Sequence, residues 1–400
     1  MVHESNERDR IVIQGPVGSP SFRPERRRGS TVRWVAVAVA PLLLALAMLS
    51  LVAGVGGGLL RVGVALPGAI DPAWVGRVAL SHAALMIGGF LGTVIGIERA
   101  VAIKLPAAFL APLASGLAGV CLLLGRPLSG AWLTVVAAAA LTAVNTVAVR
   151  RQRSAHTSLL LFGALAWLIG NLMFATGYGS VATLPWWFAF LVTTIAAERI
   201  EVAPLKRRHM VARLSLYAVL TAMLAGAAWS AVSPVSGGLL YGAALALLAS
   251  WLGMYDVARR RLFFPGLSGY TATCVFGGYG WLAIAGVAWA ATALDLPTRD
   301  VALHALGLGF VVSILMGHAP MILPRTARIK LQFGGFFYVP LAALYLSLFM
   351  RLGLGLAAPS LRAIGAVFNA AAIALFVATI VGSAVVWRVK NGRPGGKETK

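Results

Sequence analysis

Two histidines open and close one apolar stretch of the chain. The segment HALGLGFVVSILMGH runs from His304 to His318, and a third histidine, His82, stands in the comparable stretch RVALSHAALMIGGF. An ionisable side chain is costly at membrane depth, so such a residue is by default a functional one with a partner to be found. The alternative is that each imidazole makes an interhelical hydrogen bond, as buried polar residues in membrane bundles often do.

The composition identifies these stretches as membrane spans. The chain has 400 residues, of which 59% are hydrophobic and 12% charged, and its mean hydropathy is +0.85. A soluble domain is about half apolar and a quarter charged. The sequence therefore predicts an all-α polytopic membrane protein. Cys121 and Cys274 both lie in apolar runs, which excludes a disulfide framework and a cysteine-based zinc site.

Twelve spans are predicted, because a membrane helix needs about 20 apolar residues. The predicted bundle covers 34–387, between a disordered basic tail at 1–33 and a second basic tail at 388–400. The loops are short, so no separate soluble domain is expected. The approximate spans are 34–60, 79–103, 107–124, 128–149, 156–177, 181–200, 211–233, 236–257, 268–293, 300–323, 333–353 and 362–387.

The basic residues predict an orientation for this bundle. By the positive-inside rule, both termini are expected to be cytoplasmic, in the cell (inner) membrane. The formal net charge of +22 then reflects insertion and contact with anionic lipid, and it does not indicate nucleic-acid binding. Of the 34 Lys and Arg residues, the outer side receives only Arg61, Arg77, Arg126, Arg299, Arg351 and Arg362.

His82 and His304 are predicted to share one depth in the membrane. Spans 2 and 10 both run from outside to inside, and each histidine lies near the outer start of its span. In both spans an arginine, Arg77 or Arg299, stands five residues before the histidine, with the letters VAL between them. The two spans therefore look like copies of one element.

Span 6 extends this repeat at the inner side. Span 2 ends with the pair Glu98–Arg99 and span 6 with the pair Glu198–Arg199. Because spans 2, 6 and 10 are four apart and run in the same direction, the sequence predicts three four-helix arcs in a pseudo-threefold arrangement.

Twelve helices in three arcs, with outer-side histidines on spans 2 and 10, resemble the catalytic subunit of haem–copper oxidases. The stretch HALGLGFVVSILMGHAP more closely resembles the tenth span of NnrS-type membrane proteins, which are associated with haem, copper and nitric-oxide metabolism. The resemblance implies one haem held by His82 and His304 near the outer face. It does not extend to oxygen reduction at a haem–copper centre, because spans 6 and 7 contain no histidine.

Three further residues could complete the implied haem site. Arg77 and Arg299 would pair with the haem propionates, since guanidinium suits carboxylate geometry, or they would be interface anchors. Gly89 falls within about 40° of His82 around an ideal helix, so it would leave a flat face for the macrocycle. The alternative for this glycine is a small-residue seam between packed helices.

His318 is predicted to serve a different site. It lies about 21 Å further along the helix than His304, so one metal cannot bind both. With Glu98 or Glu198 it would form a second site, for copper or for a proton path. The alternative is a structural ion-pair network that ties spans 2, 6 and 10 together. His156, at an inner helix end among arginines, is expected to be merely solvated.

Two functions therefore stand side by side. The first is a haem-binding membrane protein in redox, nitric-oxide or copper metabolism, served by an electron-transfer partner. The second is a secondary transporter without a cofactor, in which Glu98, Glu198 and His318 couple transport to protons. The residues do not decide whether the protein is an enzyme.

Overall fold

A computed structural model describes residues 25–66, 71–202, 210–326 and 329–391, and these contain helices but no β-strand. The helix of the first span begins at Glu25 and that of the last span ends at Asn391. Most of the predicted tails, 1–33 and 388–400, therefore lies outside the described residues.

Twelve helices in the described part of the chain are long and apolar enough to cross a membrane, as the sequence predicts. The chain is thus an integral, multi-pass membrane protein. The spans are α1 Ala38–Arg61, α2 Pro72–Ile103, α3 Pro106–Leu123, α4 Pro127–Arg151, α5 Ala155–Ala175, α6 Ser180–Glu201, α7 Met210–Trp229, α8 Pro234–Tyr255, α9 Gly266–Ala293, α10 Arg299–Pro324, α11 Gly335–Leu356 and α12 Pro359–Asn391.

Short local signals separate these helices. The side chain of Asp71 caps α2 by accepting a hydrogen bond from the N–H of Ala73 at 2.9 Å, which satisfies a backbone donor that has no partner within the helix. At its other end α2 stops at Lys104, whose φ of 56° is left-handed. Gly125 and Gly177, with φ of 74° and 86°, follow α3 and α5, because glycine adopts this conformation without steric cost.

The helices follow one another around a ring. Each packs against its neighbours in the chain, and α12 also contacts α1, which closes the ring. Helix α10 contacts both α6 and the inner half of α2. In the most apolar stretches of α6 and α10, 72% and 67% of the residues are buried, the two largest shares among the twelve spans. Helices α2, α6 and α10, which are four apart in the chain, thus meet through α10 and are called the central helices below.

Three of the spans contain a π-helical segment. In α2 it covers Ala84–Gly92, in α10 Ala305–Val312 and in α11 Phe349–Gly353. A π turn accommodates more residues than an α turn and is frequent at functional sites. The first segment begins two residues after His82, and the second begins one residue after His304. They therefore change the direction in which every later residue of those spans points.

The two ends of the bundle are named after the orientation that the basic residues predict. The end that carries His82 and His304 is the outer end, and the end that carries His318 is the inner end.

Candidate functional site

The structure brings together the two histidines that the sequence places at one depth. The ring centroids of His82 and His304 lie 6.2 Å apart, and the ring planes are inclined by 25°. One histidine comes from α2 and the other from α10, so the pair joins two of the three central helices at the outer end.

Helix α1 fixes the ring of His82. Its Nδ1 lies 2.6 Å from the carbonyl oxygen of Gly54, so Nδ1 carries the proton and donates it, and Nε2 holds the lone pair. A Cβ on Gly58 would come within 2.8 Å of the His82 ring, and a Cβ on Gly57 would collide with the carbonyl oxygen of Val78. The glycine run of α1 therefore lets this helix approach α2 closely, a role that the sequence pattern did not reveal.

His304 is held by two charged residues that were not predicted from the sequence. Its Nδ1 lies 3.0 Å from the carbonyl oxygen of Asp300 and 2.9 Å from the Oδ1 of the same residue. Its Nε2 lies 3.1 Å from Nη2 of Arg351, on the π segment of α11. The sequence did contain an indication for Asp300: it stands four residues before His304, which places the two residues on the same helix face.

Both imidazoles line a cavity of about 650 Å³ at the outer end. This volume lies in the range of small-molecule and cofactor sites. The charged residues in its lining are one carboxylate, Asp300, and four arginines. An anionic ligand would therefore find a favourable potential there. The arginines are Arg61, Arg299, Arg351 and Arg362.

Two residues predicted for this site lie elsewhere. Arg77 is not in the cavity lining; its Nη2 lies 3.8 Å from Asp71 Oδ2, and its side chain lies over Gly125. Five residues correspond to about 140° around a helix, so Arg77 points away from the face that bears the histidine. Arg299, at the same spacing from His304, does line the cavity, and its Nη2 donates a hydrogen bond to Ser180 Oγ at 2.9 Å.

Gly89 is also wrong as a cofactor contact. It packs against α1 and α3, where an added Cβ would lie 2.6 Å from Ser50 Oγ and 3.6 Å from Gly119 Cα. The predicted angle assumed an ideal α-helix from His82 onward, and the π segment of α2 invalidates that assumption. The seam of small residues, stated as the alternative, is what the structure shows. In α10, Gly307, three residues after His304, does line the cavity.

A second cavity, of about 490 Å³, occupies the inner end. Its lining is almost entirely apolar, and its charged or ionisable members are Glu98, Glu198, Arg199 and His318. Its lining shares four residues with that of the outer cavity, so an apolar partition separates the two spaces. The four are Leu91, Leu191, Val312 and Ile373.

Ion pairs connect the central helices near this inner cavity. Nη2 of Arg99 lies 3.0 Å from Glu98 and 2.9 Å from Glu198, which joins α2 to α6. Arg199 donates two hydrogen bonds to Asp256, at 2.7 and 2.8 Å. Its Nη1 also lies 3.5 Å from Nε2 of His318. These contacts are those of a structural ion-pair network, the alternative to a second site at this end.

The residues that the sequence predicts for a metal site at the inner end, His318 with Glu98 or Glu198, do not belong to one cluster of three ligands. Among the described residues, a single group of three metal-ligating side chains has its ligand atoms within 4.8 Å of one another, namely His156, Glu198 and Glu201. His318 and Glu98 are outside it. The prediction that His156 is merely solvated is wrong: its side chain is 13% exposed, because it lies against the last turns of α6.

A comparison with known families matches residues 40–385 to the model described as "Domain of unknown function (DUF8744)". The chain belongs to this family. No curated protein and no solved structure matches the chain. The DUF8744 match includes every residue that lines the two cavities, from Ala40 to Val381. Both sites thus belong to the DUF8744 domain.

Proposed function

We propose that this chain is a haem-binding membrane protein of the NnrS type, in which His82 and His304 would hold one haem. The observation that carries the proposal is the pair of imidazoles whose centroids are 6.2 Å apart and which line one cavity together with four arginines. Two imidazoles that bind one metal ion from opposite sides, with metal–nitrogen bonds near 2.0 Å, have centroids roughly 6 Å apart.

The charges of the cavity support a ligand with two carboxylates. Arg351 already pairs with Asp300, at 2.8 Å. Arg61, Arg299 and Arg362 line the cavity without a carboxylate partner among the described residues. Haem carries two propionates, and guanidinium groups bind carboxylates strongly. Arg61 and Arg299 are near enough for their charges to repel each other, and an anion between them would relieve this repulsion.

The surroundings of both imidazoles favour ligation through Nε2. Hydrogen bonds from Nδ1 to Gly54 and to Asp300 fix the orientation of each ring and raise the basicity of the other nitrogen. At His304 the hydrogen bond from Arg351 would have to yield its place to the metal. A bound haem supplies one-electron chemistry at a potential that the axial ligands and the surrounding charges set.

We further propose redox, nitric-oxide or copper metabolism as the process that this haem serves, with an electron-transfer partner at the outer end. The location would be the cell (inner) membrane with both termini cytoplasmic. The support is the resemblance of the tenth span to NnrS-type proteins and the distribution of basic residues.

The test is the visible spectrum of the purified full-length protein before and after reduction. We expect a haem spectrum with a sharp reduced-state band, which His82→Ala and His304→Ala each abolish. His318→Ala is the matched control, because it removes a partly buried imidazole from α10 at the inner end and should leave the band unchanged. A protein that stays colourless and does not take up added haemin would refute the proposal.

One observation favours a second candidate, a proton-coupled secondary transporter. Two cavities at opposite ends share an apolar partition, as expected of a path that opens to one side at a time. Glu98, Glu198 and His318 would then carry the coupling protons. This candidate requires a colourless protein whose flux in vesicles depends on pH and fails in Glu98→Gln, Glu198→Gln and His318→Ala.

A further inference from the structure

We propose that His156, Glu198 and Glu201 bind one divalent transition-metal ion at the inner end, independently of the outer cavity. His156 is the second residue of α5, and the two glutamates lie three residues apart in the last turns of α6. Residues three apart on a helix lie on the same face, so both carboxylates can be directed at one neighbour on α5.

The spacing of the three side chains suits a metal ion. Their ligand atoms all lie within 4.8 Å of one another, and His156 Nε2 is 3.6 Å from Glu201 Oε2. Two ligand atoms bound to a tetrahedral ion at about 2.1 Å are about 3.4 Å apart. The histidine and one carboxylate are therefore already at coordination spacing, and the third ligand needs a shift of about 1 Å or a little more, within reach of a glutamate rotamer.

A backbone hydrogen bond orients the imidazole for this role. Nδ1 of His156 lies 3.0 Å from the carbonyl oxygen of Ala197, so Nδ1 donates and Nε2 presents its lone pair to the carboxylates. Metal-ligating histidines almost always have such a partner on the other ring nitrogen, because it fixes the tautomer and the ring orientation.

The local charge favours a divalent cation. Glu98, Glu198 and Glu201 all act on the charge of Arg99, and Arg199 is already paired with Asp256. Three carboxylates and one guanidinium leave two negative charges when His156 is neutral. A divalent ion balances these charges. It would enter beside Glu201, whose side chain is 60% exposed, and reach Glu198, whose side chain is 29% exposed.

The donor set indicates the class of metal. Imidazole suits Zn²⁺, Fe²⁺ and Cu²⁺, whereas carboxylates also suit Mn²⁺. One nitrogen and two oxygens leave at least one position for water. The rival explanation is that His156 is protonated and makes an ion pair with Glu201, with no metal involved.

The experiment is a titration of the purified full-length protein, stripped with EDTA, with Zn²⁺ followed by calorimetry and with Co²⁺ followed by its visible absorption. We expect one equivalent of Zn²⁺ and a Co²⁺ spectrum of low coordination number. His156→Asn can keep the hydrogen bond to Ala197 but removes the Nε2 ligand. This variant and Glu201→Gln should each weaken binding by at least about 10–100-fold, the loss seen even for residues that only support a ligand.

Glu98→Gln is the matched control, because Glu98 contacts the same Arg99 but lies outside the group of three ligands. It removes one of the three carboxylate charges but no ligand, so it should weaken binding by less than either ligand variant does. Failure to bind Zn²⁺ and Co²⁺, or loss of binding in Glu98→Gln with retention in His156→Asn, would overturn the proposal. A haem spectrum is measured on the same samples, so the outcome at the outer cavity is recorded separately.

Discussion

Arg351 donates two hydrogen bonds to the carboxylate of Asp300, at 3.0 and 2.8 Å. The same guanidinium lies 3.1 Å from Nε2 of His304, and the side chain of Arg351 is only 6% exposed. The π segment of α11 thus places a buried guanidinium against α10. This guanidinium contacts both the carboxylate and the imidazole that line the outer cavity.

We predict that Arg351→Met destabilises the protein by about 3–5 kcal/mol, because removing one partner of a buried pair leaves the other charge uncompensated. The double variant Asp300→Leu with Arg351→Met should recover most of this loss. The measurement is the midpoint of unfolding in detergent. Equal midpoints for the single variant and the unsubstituted protein would show that the pair is not coupled to folding.

Close contact between α1 and α2 supports a second prediction. Because a Cβ on Gly57 would collide with the carbonyl oxygen of Val78, Gly57→Ala must push the helices apart and lower the thermal unfolding midpoint. Gly76→Ala is the control: it lies on α2 with open space around it, and alanine in a helix interior is about 1 kcal/mol better than glycine. A Gly57→Ala protein as stable as the Gly76→Ala protein would contradict this contact.

The inner ion pairs predict how stability depends on pH. The carboxylate of Asp256, one residue after α8, accepts hydrogen bonds from Arg199, from Tyr279 at 2.6 Å and from the N–H of Ala258. Burial raises the pKa of Asp256, but the hydrogen bonds and the charge of Arg199, aided by Tyr279, outweigh it and hold the pKa below its ordinary value.

A carboxyl group with a lowered pKa stabilises the fold above its unfolded pKa, about 3.9. That contribution is lost as the pH falls through the lower folded value. We therefore expect Asp256→Asn to lower the unfolding midpoint at neutral pH and to make it depend less on pH below about 4. Asp295→Asn, at an exposed turn with φ of 60° that asparagine tolerates, should follow the unsubstituted protein. Parallel acid curves for Asp256→Asn and the unsubstituted protein would contradict the assignment.

The sequence predicted the spans and the common depth of His82 and His304 for one physical reason. Apolar length determines where a helix crosses the membrane, and two spans in the same direction place residues near their outer starts at one depth. Neither inference requires the rotation of a helix about its axis. The twelve helices of the structure confirm the first inference.

The sequence could not predict how each helix is rotated about its own axis. Gly89 does not line the outer cavity because it lies inside the π segment that follows His82, and Arg77 does not because its side chain lies over Gly125, in the turn after α3. The pairing of Asp300 with Arg351 joins two helices whose relative rotation depends on the packing of the whole bundle. The same holds for His156, whose neighbours are set by how α5 lies against the end of α6.

The orientation of the bundle is the last prediction. If both termini are cytoplasmic, a fluorescent protein fused after residue 400 should be bright and an alkaline phosphatase fused there inactive. A phosphatase inserted after Leu66, in the connection between α1 and α2, should be active, because the basic residues place this connection outside. This insertion leaves the helices on both sides intact, so the reporter reads the orientation of the full bundle. An active phosphatase at the C-terminus would show that the bundle has the opposite orientation. His82 and His304 would then lie at its cytoplasmic end.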